Sequence, residues 1–109
     1  MSEAERWLRG RLAEAPPELL DAMAAALPAE DGGPLADTLA AAAQGLYAHL
    51  LARGTGGRED ALPLLAADAL MTHALEAQAE ADVDGLADFA RRWGAAGELG
   101  RLAESLAGG

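Results

Sequence analysis

Cysteine, lysine, asparagine and isoleucine are all absent from the chain. Without cysteine there can be no disulfide, no thiolate zinc ligand and no thiol nucleophile. Without lysine there is no Schiff base and no Walker-type phosphate-binding lysine. Without asparagine there is no N-glycosylation acceptor. Serine occurs only as Ser2 and Ser105, near the ends, where chain order is poorest. Aromatic residues are reduced to Trp7, Tyr47, Phe89 and Trp93, and β-branched ones to Thr38, Thr55, Thr72 and Val83. Strands are built from β-branched and aromatic side chains, so this scarcity excludes a sheet protein.

Positive charge is also scarce. Eight arginines face 18 acids, for a formal charge of −10, and the excess runs through both halves. Such a field repels phosphate backbones and anionic lipid, so neither nucleic acid nor membrane is an expected partner. No apolar run approaches the ~20 residues of a membrane span, and no apolar leader follows Met1. A cytoplasmic protein is the expectation.

What remains is alanine, 29 residues, and leucine, 19 residues. These lead the helix scale. A chain of 109 residues makes one domain. The expectation is an all-α, compact bundle of five to six helices, two of them long, at about 34–53 and 60–81.

Ser2 and Glu5 have capping-box spacing, and Trp7, Leu8 and Leu12 then recur at helical intervals. Pro16-Pro17 stops this helix and starts the next, whose apolar face carries Leu20, Met23, Ala24 and Leu27. The first long helix has a main stripe of Leu35, Leu39, Ala42, Leu46 and Leu50. Beside it runs a row of small residues, Ala41, Gly45, Ala48 and Ala52, along which another backbone could approach closely. "GTGG" at 54–57 is a loop, and with no lysine after it, not a phosphate cradle. Asp60 is placed as the N-cap of the second long helix and Pro63 in its first turn. Asp84 is placed as the cap of a shorter helix that turns Leu86, Phe89, Ala90 and Trp93 inward and ends at Gly94. A last amphipathic segment, 96–106, carries Leu99, Leu102, Ala103 and Leu106. Arg91-Arg92 is the one basic doublet, expected to pair with Asp84 or Asp88.

In the second long helix the ~100° step gathers Leu64, Met71 and Leu75 with Ala67 and Ala74 on a core face. Ala69, His73, Glu76 and Glu80 fall on the opposite side. A metal site needs three or four converging ligands. Di-iron bundles use Glu-x-x-His pairs on two helices; here histidine comes first, and His49 has Gly45 and Leu46 at the matching upstream positions. No cofactor is assigned. His73, Glu76 and Glu80 are the metal candidates, and an i,i+3 His73–Glu76 pair on a solvated or interface-facing flank is the expectation. No carboxylate pair sits in an apolar setting that would separate two acidities for catalysis.

The stretch from Leu64 to Gly100, "LLAADALMTHALEAQAEADVDGLADFARRWGAAGELG", resembles the mid-domain helices of trans-isoprenyl diphosphate synthases. It shares an Ala-Asp-Ala-Leu helix, a Leu-Ala-rich helix and an Ala-Gly pair. Those enzymes hold magnesium on aspartate-rich DDxxD motifs, and this chain has no adjacent aspartates. The resemblance therefore implies helical packing and transfers no catalytic residue.

Two functional classes follow. One is a small non-catalytic interaction or scaffold protein, homodimeric through Ala41, Gly45, Ala48, Ala52 and Ala69. The other is a small-molecule- or metal-binding helical domain, a remnant of an isoprenoid-synthase-like enzyme.

Overall fold

The computed structural model describes residues 2–29, 32–54 and 57–93. Within them lie five α-helices and no strand: α1 (Glu3–Arg11), α2 (Pro17–Ala26), α3 (Leu35–Arg53), α4 (Ala61–Ala81) and α5 (Leu86–Trp93). Single 3₁₀ turns, Arg58–Asp60 and Val83–Gly85, lead into α4 and α5. The all-α expectation holds, and both long helices start and stop within a residue of their expected ends. The segment expected at 96–106, and the stop at Gly94, lie outside the described residues.

Local chemistry explains most of the boundaries. Ser2 Oγ accepts from the Glu5 amide at 3.2 Å, which caps α1. The Glu5 carboxylate does not complete the box but pairs with Arg9 one turn on, at 2.9 Å. Pro17 occupies the first turn of α2, where a missing N–H costs nothing. Gly54 ends α3 at φ +76, a backbone that disfavours any side chain. Pro63 sits in the first turn of α4, as expected.

Two caps differ from expectation. Asp60 stands before α4 with helical backbone angles, and its side chain accepts no capping bond. It is buried instead, with Arg53 NH1 3.2 Å from its Oδ1, and this pair clasps the two ends of the connection between α3 and α4. Ahead of α5 it is Asp82, not Asp84, whose carboxylate accepts, taking the amide of Asp84 at 3.2 Å. Ala90, expected to face in, is exposed.

The core lies between α3 and α4, with α1 and α2 on one flank and α5 closing an end. Its largest fully buried side chains are Leu8, Met23, Leu39, Leu50, Leu70 and Phe89. Between the two long helices it is mostly alanine: Ala40, Ala43, Ala66, Ala67 and Ala74 have no exposed surface at all. Methyl-sized contacts let the helix axes come close. The expected faces hold in part: Leu39, Ala42 and Leu50 of α3 and Ala67 and Ala74 of α4 are buried as expected. On α3, Leu35 and Leu46 are only half-buried while Ala36, Ala40 and Ala43 go in. On α4 the buried row is Ala66, Ala67, Leu70, Ala74 and Ala77. Leu64 and Leu75, expected inside, are 44% and 37% exposed. A helix apolar on nearly every side has no preferred face in its period, so the neighbour's shape chooses.

Candidate functional site

Three places on the surface carry organised side chains. The first is the flank of α4 that holds the metal candidates. Trp7 on α1 meets the His73 ring edge-on, with centroids 6.4 Å apart. Arg11, one turn further along α1, lies over the Trp7 ring at 4.5 Å and grips Glu80 with both guanidinium nitrogens, NH2 to Oε1 being 2.8 Å. Those hydrogen bonds hold the Glu80 carboxyl below its ordinary value. His73 Nδ1 faces Glu76 Oε1 as an i,i+3 ion pair when protonated, and no well-directed hydrogen bond reaches that nitrogen.

The expected His73–Glu76 contact is therefore present; α1 of the same chain partly covers the flank at His73, while Glu76 and Glu80 remain about half exposed. Glu80 is committed to Arg11, and among the described residues no three His, Asp or Glu side chains converge as ligands. Ala69, placed with the small-residue row from the sequence, is half-buried and packs against this chain's own core.

The second place is the outer face of α3. Ala41, Gly45 and Ala52 are exposed and Ala48 is half-buried. His49 lies exposed beside them. A methyl built on Gly45 would meet nothing within 4 Å, so among the described residues the glycine serves no close contact.

The third is an open cleft of about 570 Å³ lined by Ala26, Leu27, Pro28, Thr38, Ala42 and Trp93 among others, with Asp37 its one charged group among the described residues. Asp37 Oδ1 accepts from Trp93 Nε1 at 3.0 Å and from Arg92 NH1 at 3.1 Å. Arg92 thus reaches back to α3, while Arg91 pairs locally with Asp88 as expected.

Sequence reasoning missed a fourth feature, the exposed leucines of α4. Leu62, Leu64, Leu65 and Leu75 are all more than a third exposed, Leu65 the most at 56%. The signal was there to be counted. Leucines at 62, 64, 65, 70 and 75 point to every side of a helix, and one packed face cannot bury them all.

Comparison with family models, curated proteins and solved structures returned no match. The four surfaces must be judged on their chemistry alone. Among the described residues no helix is long and apolar enough to cross a membrane.

Proposed function

We propose that this chain is a small non-catalytic interaction and scaffold protein of the cytoplasm that pairs with itself across the outer face of α3. One observation carries the reading. Gly45 sits in the middle of a 19-residue helix, on its exposed side, with no neighbour within 4 Å of an added Cβ among the described residues. A helix-interior glycine costs about 1 kcal/mol relative to alanine. Flanked by exposed Ala41 and Ala52, it leaves a smooth strip on which a second backbone can lie, and a second copy offers the same strip. Two-fold pairing of identical patches is the commonest closed arrangement. The charge of −10 on each copy opposes pairing, disfavours nucleic acid, and makes the dimer salt-dependent.

Sedimentation equilibrium at low and moderate salt tests this. A dimer that tightens with salt is expected, and Gly45→Leu should give a folded monomer that melts no lower than the wild-type monomer. A wild-type monomer at both salts at tens of micromolar overturns the pairing.

The cleft beside Asp37 supports the second reading, a small-molecule-binding domain. Its walls are mostly apolar, and the one carboxylate among its described residues already serves Arg92 and Trp93. A ligand there would be neutral and apolar. Mass spectrometry of the native protein would show it as an added mass that Trp93→Ala loses.

A further inference from the structure

The face of α4 that carries the exposed Leu64 and Leu75 is independent of the α3 strip and calls for its own occupant. At ~100° per residue, Leu64, Asp68, Met71 and Leu75 fall within an arc of about 60° that borders the buried row, Met71 lying nearest Ala67 and packing against the core. Leu64 and Leu75 are exposed, Met71 is half-buried, and Asp68 is exposed between them. Large apolar side chains ranged along one helix at this spacing are what a helix-in-groove partner covers.

The charges select the partner. α4 has no arginine or lysine in 21 residues; its ionisable groups are Asp68, His73, Glu76 and Glu80. Glu80 is held by Arg11 and Glu76 faces His73. Asp68 differs from both, since among the described residues it has no cationic partner and is fixed only by the neutral phenol of Tyr47 on α3. The result is a carboxylate on the border of an apolar stripe, held by Tyr47 and with no cation beside it among the described residues.

We propose that this face docks an amphipathic, cationic helix of a partner protein, whose apolar side chains cover Leu64, Met71 and Leu75 and whose arginine or lysine reaches Asp68. A second copy fits less well. Residues 64 and 75 are the ends of the stripe, so a two-fold axis through its middle brings two Asp68 carboxylates close together, on chains that each carry −10. Like charges set against each other select against that pairing.

The probe is a synthetic helical peptide of about 18 residues, roughly five turns. It carries leucines at i, i+4, i+7 and i+11 with arginines on both borders of that stripe. One control replaces every arginine with glutamate, and a second keeps the arginines and replaces the leucines with serine. Binding to the full-length chain is read by fluorescence anisotropy. The arginine–leucine peptide should bind in the micromolar range, and each control at least about tenfold more weakly. Asp68→Asn and the pair Leu64→Gln/Leu75→Gln should each cost about tenfold or more in affinity, with circular dichroism melts unchanged because these side chains are exposed. A serine control that binds as well as the probe would mean simple charge attraction, and overturns the docking site. So does a probe that fails to bind at about 100 µM, a dissociation constant that would leave the complex at ~5.5 kcal/mol or weaker. If the leucine pair variant lowers the sedimentation mass of the unliganded chain, a second copy owns the face. If the full chain with Leu99, Leu102 and Leu106 all changed to Gln binds the probe and the wild type does not, the chain's own C-terminal residues own it. Loss of self-pairing in Gly45→Leu with peptide binding intact would separate this site from the α3 strip.

Discussion

Trp93 Nε1 donates to Asp37 Oδ1 at 3.0 Å, joining the end of α5 to the first turn of α3 across 56 positions of sequence. The same oxygen receives Arg92 NH1 at 3.1 Å. A negative charge in a helix's first turn is also favoured by the aligned peptide dipoles. Asp37→Ala should therefore destabilise the fold by about 1–2 kcal/mol, discounted for the partial exposure of both partners. Trp93→Phe keeps an aromatic ring but removes the N–H donor, and should lose about half as much. Chemical denaturation of both variants checks this; equal stability to wild type would show that α5 is held by Phe89 alone.

Gly45 gives a prediction of opposite sign. With nothing within 4 Å of an added methyl, Gly45→Ala should stabilise the fold by about 1 kcal/mol, raising the melting temperature by roughly 4–8 °C. The melt is to be taken at a dilution where the chain is monomeric. A drop instead would reveal a contact to Gly45 made within one chain.

The alanine seam should reject larger residues. Ala74 is fully buried between the long helices, and the contact is made of methyl groups. Ala74→Leu adds three carbons where axes are already close, and should cost at least 1–3 kcal/mol, roughly the overpacking range. By contrast Leu65→Ala, at 56% exposure, should change urea stability by less than about 0.5 kcal/mol. If Ala74→Leu is as mild as Leu65→Ala, the helices are further apart than the seam implies.

Two groups shape the pH profile. The hydrogen bonds from Arg11, the larger cause, hold Glu80 below its ordinary value of 4.5. The stability this adds is present above pH 4.5 and is lost as pH falls through the folded value. Burial, and then the hydrogen bond to Asp68, push the Tyr47 phenol above its ordinary 10.0. That contribution is present below pH 10.0 and is lost as pH rises beyond it. Glu80→Gln should flatten the acid limb of a stability-versus-pH curve, and Tyr47→Phe the alkaline limb. An unchanged slope in either variant would assign that limb to other groups.

Metal binding offers a direct comparison. With Glu80 committed to Arg11, wild type and the His73→Ala/Glu76→Ala variant should bind zinc equally weakly by calorimetry. A micromolar wild-type isotherm that the variant loses would restore the site.

How much of this was legible in the sequence follows from the physics of each signal. Helix boundaries were, because Ser2, Pro17, Gly54 and Pro63 act locally and need no tertiary context. The contact between His73 and Glu76 was, because three residues apart on a helix means adjacent. The buried faces were legible only in part. Ala67 and Ala74 were placed inward and are buried, but Leu64 and Leu75, placed with them, are exposed while Ala66 went inside, because two long helices approach best along small side chains. The links from Arg92 to Asp37 and from Arg11 to Glu80 were invisible for the same reason: each joins residues that only packing brings together. The outward leucines escaped because a count of apolar positions was read as a core when it exceeded what one face can bury.

The alanine seam also bears on how the chain reaches its fold. Alanine gives up no rotamer freedom on burial, so closing the seam costs mainly backbone entropy. The helices it joins are sequence neighbours, linked by a turn that begins at Gly54 and ends at Asp60, with Arg53 and Asp60 meeting across it. Pairing them therefore closes only a short loop, and contacts of low sequence separation form early. α3 and α4 would come together first as a hairpin, a template on which Trp7, Met23 and Phe89 then find their places. The chain's kinetic path is written into its smallest side chains, and the leucines left outside take no part in it.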